Sequence, residues 1–418
     1  MFRLFALISV LSFFSAIVYS QGMEHGRLPL VHTLRTYVEG SEMAYPVIEL
    51  GGEDRVVIEF DCLTSDILDL EYRVQHCDRN GVPTNLQPSE YIDGFEVNRV
   101  NDYAPSVNTT VNYVNYRICL PNDDVRMLLS GKYEVTVFKA GTDNVVAHTT
   151  FLVYEQIVGI SAEIVKPQTA VSERHMQDVR LSVDYADLMV SNVFDELNVD
   201  ILQNGSPYSS RVGLKPRQII GNKLVYSYAG DMLIAGGNEF RRLDLRYLKA
   251  SPMNNNSVDY ASSFFHVTTP ADENRAFKPY FTEEDFNGQY LIYAYSANNV
   301  YDDYYRSADY AFVHPTLNVD PVLDGDVFVY GAFNNWRLDS TNMMRYNFSA
   351  RRYEADLFLK QGVYDYMYVC RSYYDGKVDM ERFEGSHSET SNSYLFLVFF
   401  KPVTGEYEQL VGVSWADN

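Results

Sequence analysis

Apolar and polar residues alternate in short runs along almost the whole chain. RVVIEFDCL (55–63), LEYRVQHC (70–77), TTVNYVNYRICL (109–120) and KYEVTVF (132–138) each keep a period of two, with Asp, Asn, Gly or Pro in the intervals. That period sends alternate side chains to opposite faces of an extended strand, one face apolar and one wet. No segment holds an amphipathic 3.6-residue period for longer than about two turns. Short strands at regular spacing predict an all-β protein built from tandem Ig-like β-sandwiches.

The turns divide these strands into blocks. An N-terminal sandwich is expected over 21–155, closing with TTFLVYE, and a second over 156–270, from IVGISAEIV through LNVDILQNG and KLVYSYAG to FFHVTTP. A connector with strands follows at 271–317, then a C-terminal sandwich at 318–418. Ahead of them, Arg3 is the single charge before an apolar run from Leu4 to Val18, and Val18-Tyr19-Ser20 ends residues 1–20 as a signal peptide would end. No later window reaches about 18 consecutive apolar residues, so the mature chain is expected not to insert into a membrane.

Formal charge is −22, and loss of Arg3 with the leader makes the mature chain more acidic still. Like charge repels nucleic acid and anionic lipid, which leaves proteins as the expected partners. Tyrosine is abundant, 34 residues against 2 Trp, and its ring with a polar tip suits interfaces. The densest cluster, YDDYYRSADY (301–310), makes Tyr301, Tyr304, Tyr305 and Tyr310 candidate partner-contact residues; the alternative is a strand edge packed within the chain. Four cysteines, Cys62, Cys77, Cys119 and Cys370, form no CxxC pair and no zinc spacing. Strand parity turns Val56, Ile58, Phe60 and Cys62 inward and Cys77 and Cys119 outward, so the expectation is either a Cys77–Cys119 disulfide or four free thiols.

Signals of catalysis are weak. The chain carries no GxSxG, HExxH, Walker or GxGxxG motif. His76 and Cys77 are adjacent in a strand, point to opposite faces and cannot act as a dyad. Asp285-Phe286-Asn287-Gly288 looks like half a calcium loop, but Ser296 stands where the twelfth-position acid belongs, so a turn is expected there. GGNEFRRLD (236–244) reads as a Gly-rich turn entering a strand. Neither metal nor cofactor is expected, and the protein is read as non-enzymatic.

The order of motifs resembles the plug protein family of the type IX secretion system. It is carried by FDCLTSDILDLEYRVQHCD (60–78), SEYIDGFEVN (89–98), SVNTTVNYVNYRICLPN (106–122) and SGKYEVTVF (130–138). ILQNG (201–205), LKP (214–216), GGNEFRRLD (236–244), DFNGQY (285–290) and ADYAFVHPTL (308–317) follow in order. GAFNNW (331–336), LKQGVYDYMYV (359–369) and EGSHSETSNSYLFLVFF (384–400) complete it, so the resemblance spans nearly the whole mature chain. It implies a periplasmic protein at the inner face of the outer membrane, whose partner is the giant β-barrel translocon and which closes that barrel when no cargo is present. The last block is also similar to glycogen-binding early-set modules, in which Trp336 with Asn334 would contact a glycan. Lys377 follows Asp375-Gly376 where those modules carry a second Trp, and Met367 replaces their lysine. That departure makes Trp336 a core or turn residue in the leading reading.

Overall fold

The computed structural model describes residues 30–167, 173–227, 232–249, 256–295 and 304–418. The expected signal peptide, 1–20, lies outside the described residues. The chain is nearly all β. Its described helices are single turns at Pro88–Tyr91, Val193–Glu196 and Tyr304–Ser307, with a 3-10 turn at Ala332–Asn334.

The first sandwich is built from strands between Val31 and Tyr154. One sheet orders Val31–Val38, Val56–Cys62, Val114–Leu120 and Asp102–Pro105; the other orders Val47–Glu49, Val145–Tyr154, Gly131–Lys139, Leu70–Cys77 and Val97–Arg99. Between them lie Val56, Ile58, Phe60 and Cys62 from one sheet and Tyr72, Val74, Tyr133, Val135 and Phe151 from the other. Cys77 and Cys119 are outside that core, on the outer faces of opposed sheets. Stacked sheets stand about 10 Å apart, more than the roughly 7 Å between Cα atoms that a disulfide spans. All four thiols are free.

The other two sandwiches are nested rather than consecutive. Leu197–Gln203 pairs along its whole length with Ser393–Phe400, which pairs in turn with Gln409–Asp417. The end of the chain therefore completes the second sandwich, whose core joins Val179, Leu181, Val183, Val199 and Ile201 to Tyr394, Phe396, Val398 and Val411. The third sandwich is inserted between these halves. Its long central strand Gly362–Ser372 pairs with Arg241–Asp244, Tyr290–Ile292, Gly325–Tyr330 and Val378–Asp379.

This corrects the expected boundaries at 270 and 318. Residues 240–249 and 256–268 and the connector strands Tyr290–Ile292 and Tyr310–His314 belong to the third sandwich, and 393–417 leave it for the second. Alternation identifies strands but carries no information on which strand a given one pairs with. One cue was present. SYLFLVFF is apolar at consecutive positions, as a strand buried on both faces must be. Its even residues enter the second core, while Leu395, Leu397 and Phe399 pack with Val47 and Leu152 of the first sandwich.

Candidate functional site

Small-molecule chemistry has little room. Cavities lined by Leu243, Val329, Phe333 and Tyr364, and by Asp244, Leu248 and Val267, are each no larger than about one water. Among the described residues no cluster of His, Cys, Asp or Glu could hold a metal ion. His76 is buried, with Nδ1 3.3 Å from Thr84 Oγ1 and Nε2 3.2 Å from the Ser130 carbonyl. Burial, with Glu134 nearby, pushes the Cys77 thiol up to about 12, so it is no nucleophile at neutral pH.

The motifs instead meet at joints between elements. Gly288 of the DFNG turn has φ +78°, and a Cβ there would fall 2.3 Å from the Trp336 ring and 2.7 Å from Phe240. GGNEF, DFNG and GAFNNW thus converge on one packing point. Asp285 Oδ2 accepts from the Phe240 amide at 2.5 Å and Oδ1 from the Asn287 amide at 3.0 Å, which closes the turn. Trp336 is 9% exposed, with ring centroids 6.1 Å from Phe240 and 5.0 Å from Tyr330. It packs into the core of the third sandwich. Asn334 is spent locally, donating to the Arg337 carbonyl at 2.9 Å.

Charged residues of the same motifs fasten the sandwiches together. Between the first and third, Lys360 Nζ lies 2.6 Å from Asp61 Oδ2 and 4.2 Å from the centre of the Tyr113 ring. Asp61 also accepts from the Tyr310 hydroxyl at 2.7 Å and from Asn115 at 2.8 Å. Beside it, Arg35 bridges Glu59 and Glu42, each at 2.7 Å, and the Tyr37 hydroxyl donates to Glu59 at 2.8 Å. Burial raises the Glu59 carboxyl, but Arg35, Lys360 and the Tyr37 hydroxyl outweigh it and hold Glu59 below the usual range.

A second knot lies inside the third sandwich, near where its chain enters and leaves. Arg241 grips Glu384 through Nε and Nη2, both at 3.0 Å, and reaches Asp272 at 2.8 Å. Arg275 reaches Glu384 at 2.7 Å, and the Tyr366 and Tyr368 hydroxyls donate to Asp272 at 2.7 and 2.8 Å. Burial raises Glu384, yet the two guanidiniums and the Tyr368 amide hold it low. Between the first and second sandwiches, Arg79 lies 3.3 Å from Asp200 and 3.6 Å from Glu408. A buried pair gives little net stability, but losing one partner strands the other, so the Lys360–Asp61 and Arg79 pairs fix how the sandwiches sit.

Two of the expected tyrosine contacts, Tyr305 and Tyr310, pair within the chain. Tyr310 is fully buried on Asp61 and Thr33, and Tyr305 donates to Glu42 at 2.9 Å while its carbonyl accepts from Lys360. Both are therefore corrected from partner contacts to seam residues, the alternative stated for this cluster. Tyr304 opens the Tyr304–Ser307 turn, and Tyr301 lies outside the described residues. Reading by period missed Glu59, Asp61 and Lys360, because alternation assigned the two acids to a wet face. Their one available signal was a pair of acids within an otherwise apolar strand.

Residues 31–155 match a family model described as the Type 9 secretion system plug protein 1st domain. The crystal structure of a hypothetical protein from Parabacteroides merdae ATCC 43184 superposes with a TM-score of 0.88 at 30% identity. The match covers 94% of this chain and 98% of that one. No curated protein matches the chain.

Proposed function

Residues 31–155 are a type 9 secretion system plug protein 1st domain, and on that premise we propose that the chain docks on the periplasmic mouth of the outer-membrane translocon and closes it when no cargo is present. The family gives a plug-like role, and the all-β fold with water-sized cavities speaks for a protein that acts by occupying space rather than by catalysis. A β-barrel wide enough for folded cargo leaves an aqueous hole, and its cover must be bulky and stiff. The observation that carries this reading is the way the sandwiches are joined: the buried Lys360–Asp61 pair between the first and third, Arg79 set between Asp200 and Glu408 to join the first and second, and the shared apolar seam at Leu395, Leu397 and Phe399. Domains on flexible linkers would gape; domains knotted at these seams behave as one block. No helix among the described residues is long and apolar enough to cross a membrane, and docking from the periplasm requires none.

The experiment is a pull-down of the tagged chain from gently solubilised envelopes, with mass spectrometry of its companions. One giant outer-membrane β-barrel is expected in near-equal amount, and it should be depleted from the pull-down when cargo fills the barrel. Recovery without any membrane protein would refute the docking.

A further inference from the structure

We propose that the loop from Asn274 to Asp285 is the anchor that seats the chain on the translocon, its Phe277 and Phe281 rings entering an apolar socket with a basic rim; this rests on the docking proposed above. Phe277 is 97% and Phe281 76% exposed, yet the backbone that carries them is fastened along its length. The Lys278 amide donates to the Arg275 carbonyl at 2.9 Å and the Ala276 amide to Asn274 Oδ1 at 2.8 Å, which closes a tight turn with Phe277 at its tip. Arg275 holds the start of the loop. Its amide donates to the Phe383 carbonyl at 2.7 Å, and its guanidinium reaches Glu384 and the Glu239 carbonyl, both at 2.7 Å. Gly385 leaves room for Ala276, since a Cβ there would fall 2.9 Å from the Ala276 carbonyl oxygen. Between the two phenylalanines, Tyr280 turns inward: its hydroxyl bonds to the Glu239 carboxylate and its ring lies 5.3 Å from that of His387. Asp285 pins the far end to the Phe240 amide.

A loop held in this way is ordered before it binds, so burial of its rings goes into affinity rather than into ordering. Phenylalanine is enriched at the centres of interfaces, and a few such anchors carry most of the binding energy. A plug must also leave when cargo arrives, which two rings allow and a broad apolar face would not. The charges on the loop select the socket. Lys278 is paired with Glu273 at 2.6 Å and Arg275 with Glu384. Glu283 and Glu284 are exposed and, among the described residues, carry no ion pair. Two bare rings beside two free carboxylates are complementary to an apolar pocket rimmed by Lys or Arg. A bilayer would take the rings, but anionic headgroups repel the carboxylates. A second copy of this chain, with its net charge of −22, repels them too.

The test measures binding of the full-length chain to the purified barrel in nanodiscs by biolayer interferometry, with empty nanodiscs of the same lipid alongside. Phe277→Ala/Phe281→Ala is expected to bind about 30-fold or more weakly, chiefly through faster dissociation. Glu283→Lys/Glu284→Lys should slow association several-fold, less so at high salt, and leave dissociation nearly unchanged. Met189→Ala, at an equally bare side chain outside the loop (95% exposed), should bind as the wild type does. All the replaced side chains lie in water, so each variant should melt with the wild type. Wild-type binding that the double alanine variant retains in full would overturn the anchor and leave the docking standing. An equal loss in Met189→Ala, equal binding to empty nanodiscs, or an association rate indifferent to charge reversal would also overturn it. A wild-type chain that does not bind the barrel refutes the docking itself, and the anchor with it.

Discussion

The first sandwich and the nested pair are made of the same kind of strand, but they differ in how far apart the partners lie in sequence. Val56–Cys62 pairs with Val31–Val38 and Val114–Leu120, all within residues 31–120. Leu197–Gln203 must wait for Ser393–Phe400, nearly two hundred residues later. A contiguous sandwich can close on its own, whereas the nested pair is complete only when the chain end returns. This order carries a physical consequence, because long-range pairing costs more closure entropy before any contact rewards it. The buried Lys360–Asp61 and Arg79–Asp200 pairs lie on seams between sandwiches, where mutual placement is not set by neighbouring sequence.

Deleting residues 392–418 should break the comparison most severely. Hydrogen exchange is expected to show Leu197–Gln203 and Met176–Asp184 unprotected, while Val56–Cys62 and Val114–Leu120 keep their protection. Three consecutive sandwiches would give the reverse, an intact Leu197–Gln203 and loss confined to the end of the chain. Next in size is Lys360→Met, which leaves Asp61 buried without its cation and should cost about 3–5 kcal/mol in denaturant unfolding. Adding Asp61→Asn to it should restore much of that loss. Gly288→Ala forces a Cβ into Trp336 and Phe240 at a left-handed φ and should cost about 1–3 kcal/mol, read as a lowered melting temperature.

Smaller effects follow from titration. Glu59 and Glu384 lie below their usual value of 4.5, so the stability they contribute is present above pH 4.5 and is lost as pH falls through their lower folded values. Asp365 has the opposite sign. Burial, with Asp285 nearby, raises it from 3.8 to about 7, so its contribution is present below pH 3.8 and is lost as pH rises through about 7. Stability should therefore be greatest between these limits. Asp365→Asn, which keeps an oxygen for the Phe286 amide, should flatten the alkaline limb and raise stability at pH 8 by roughly 1–3 kcal/mol. Chemical denaturation of both proteins from pH 3 to 8 would measure it, and an unchanged alkaline limb would contradict the assignment.

The legible part of the fold is the local part. Val56, Ile58, Phe60 and Cys62 were placed inward by parity and are inward, and the DFNG turn was read from its own residues. What the period could not supply is the identity of a strand's neighbour. Glu59 and Asp61 alternate with core residues and so read as solvent-facing, until Lys360 arrives from 299 residues away to cover them. Tyr310 read as a candidate partner contact for the same reason; with Tyr305 it serves a seam inside the molecule. Trp336 was legible as core because the second ring and the lysine of a sugar platform were missing from the sequence.

Planar-bilayer conductance of the purified translocon barrel, with the full-length chain added to the periplasmic side, tests the central claim most directly. Near-stoichiometric addition is predicted to abolish the open-barrel current, and Lys360→Met, which loosens the seam between the first and third sandwiches, should close it less completely. A current unchanged by saturating wild-type chain would contradict the account.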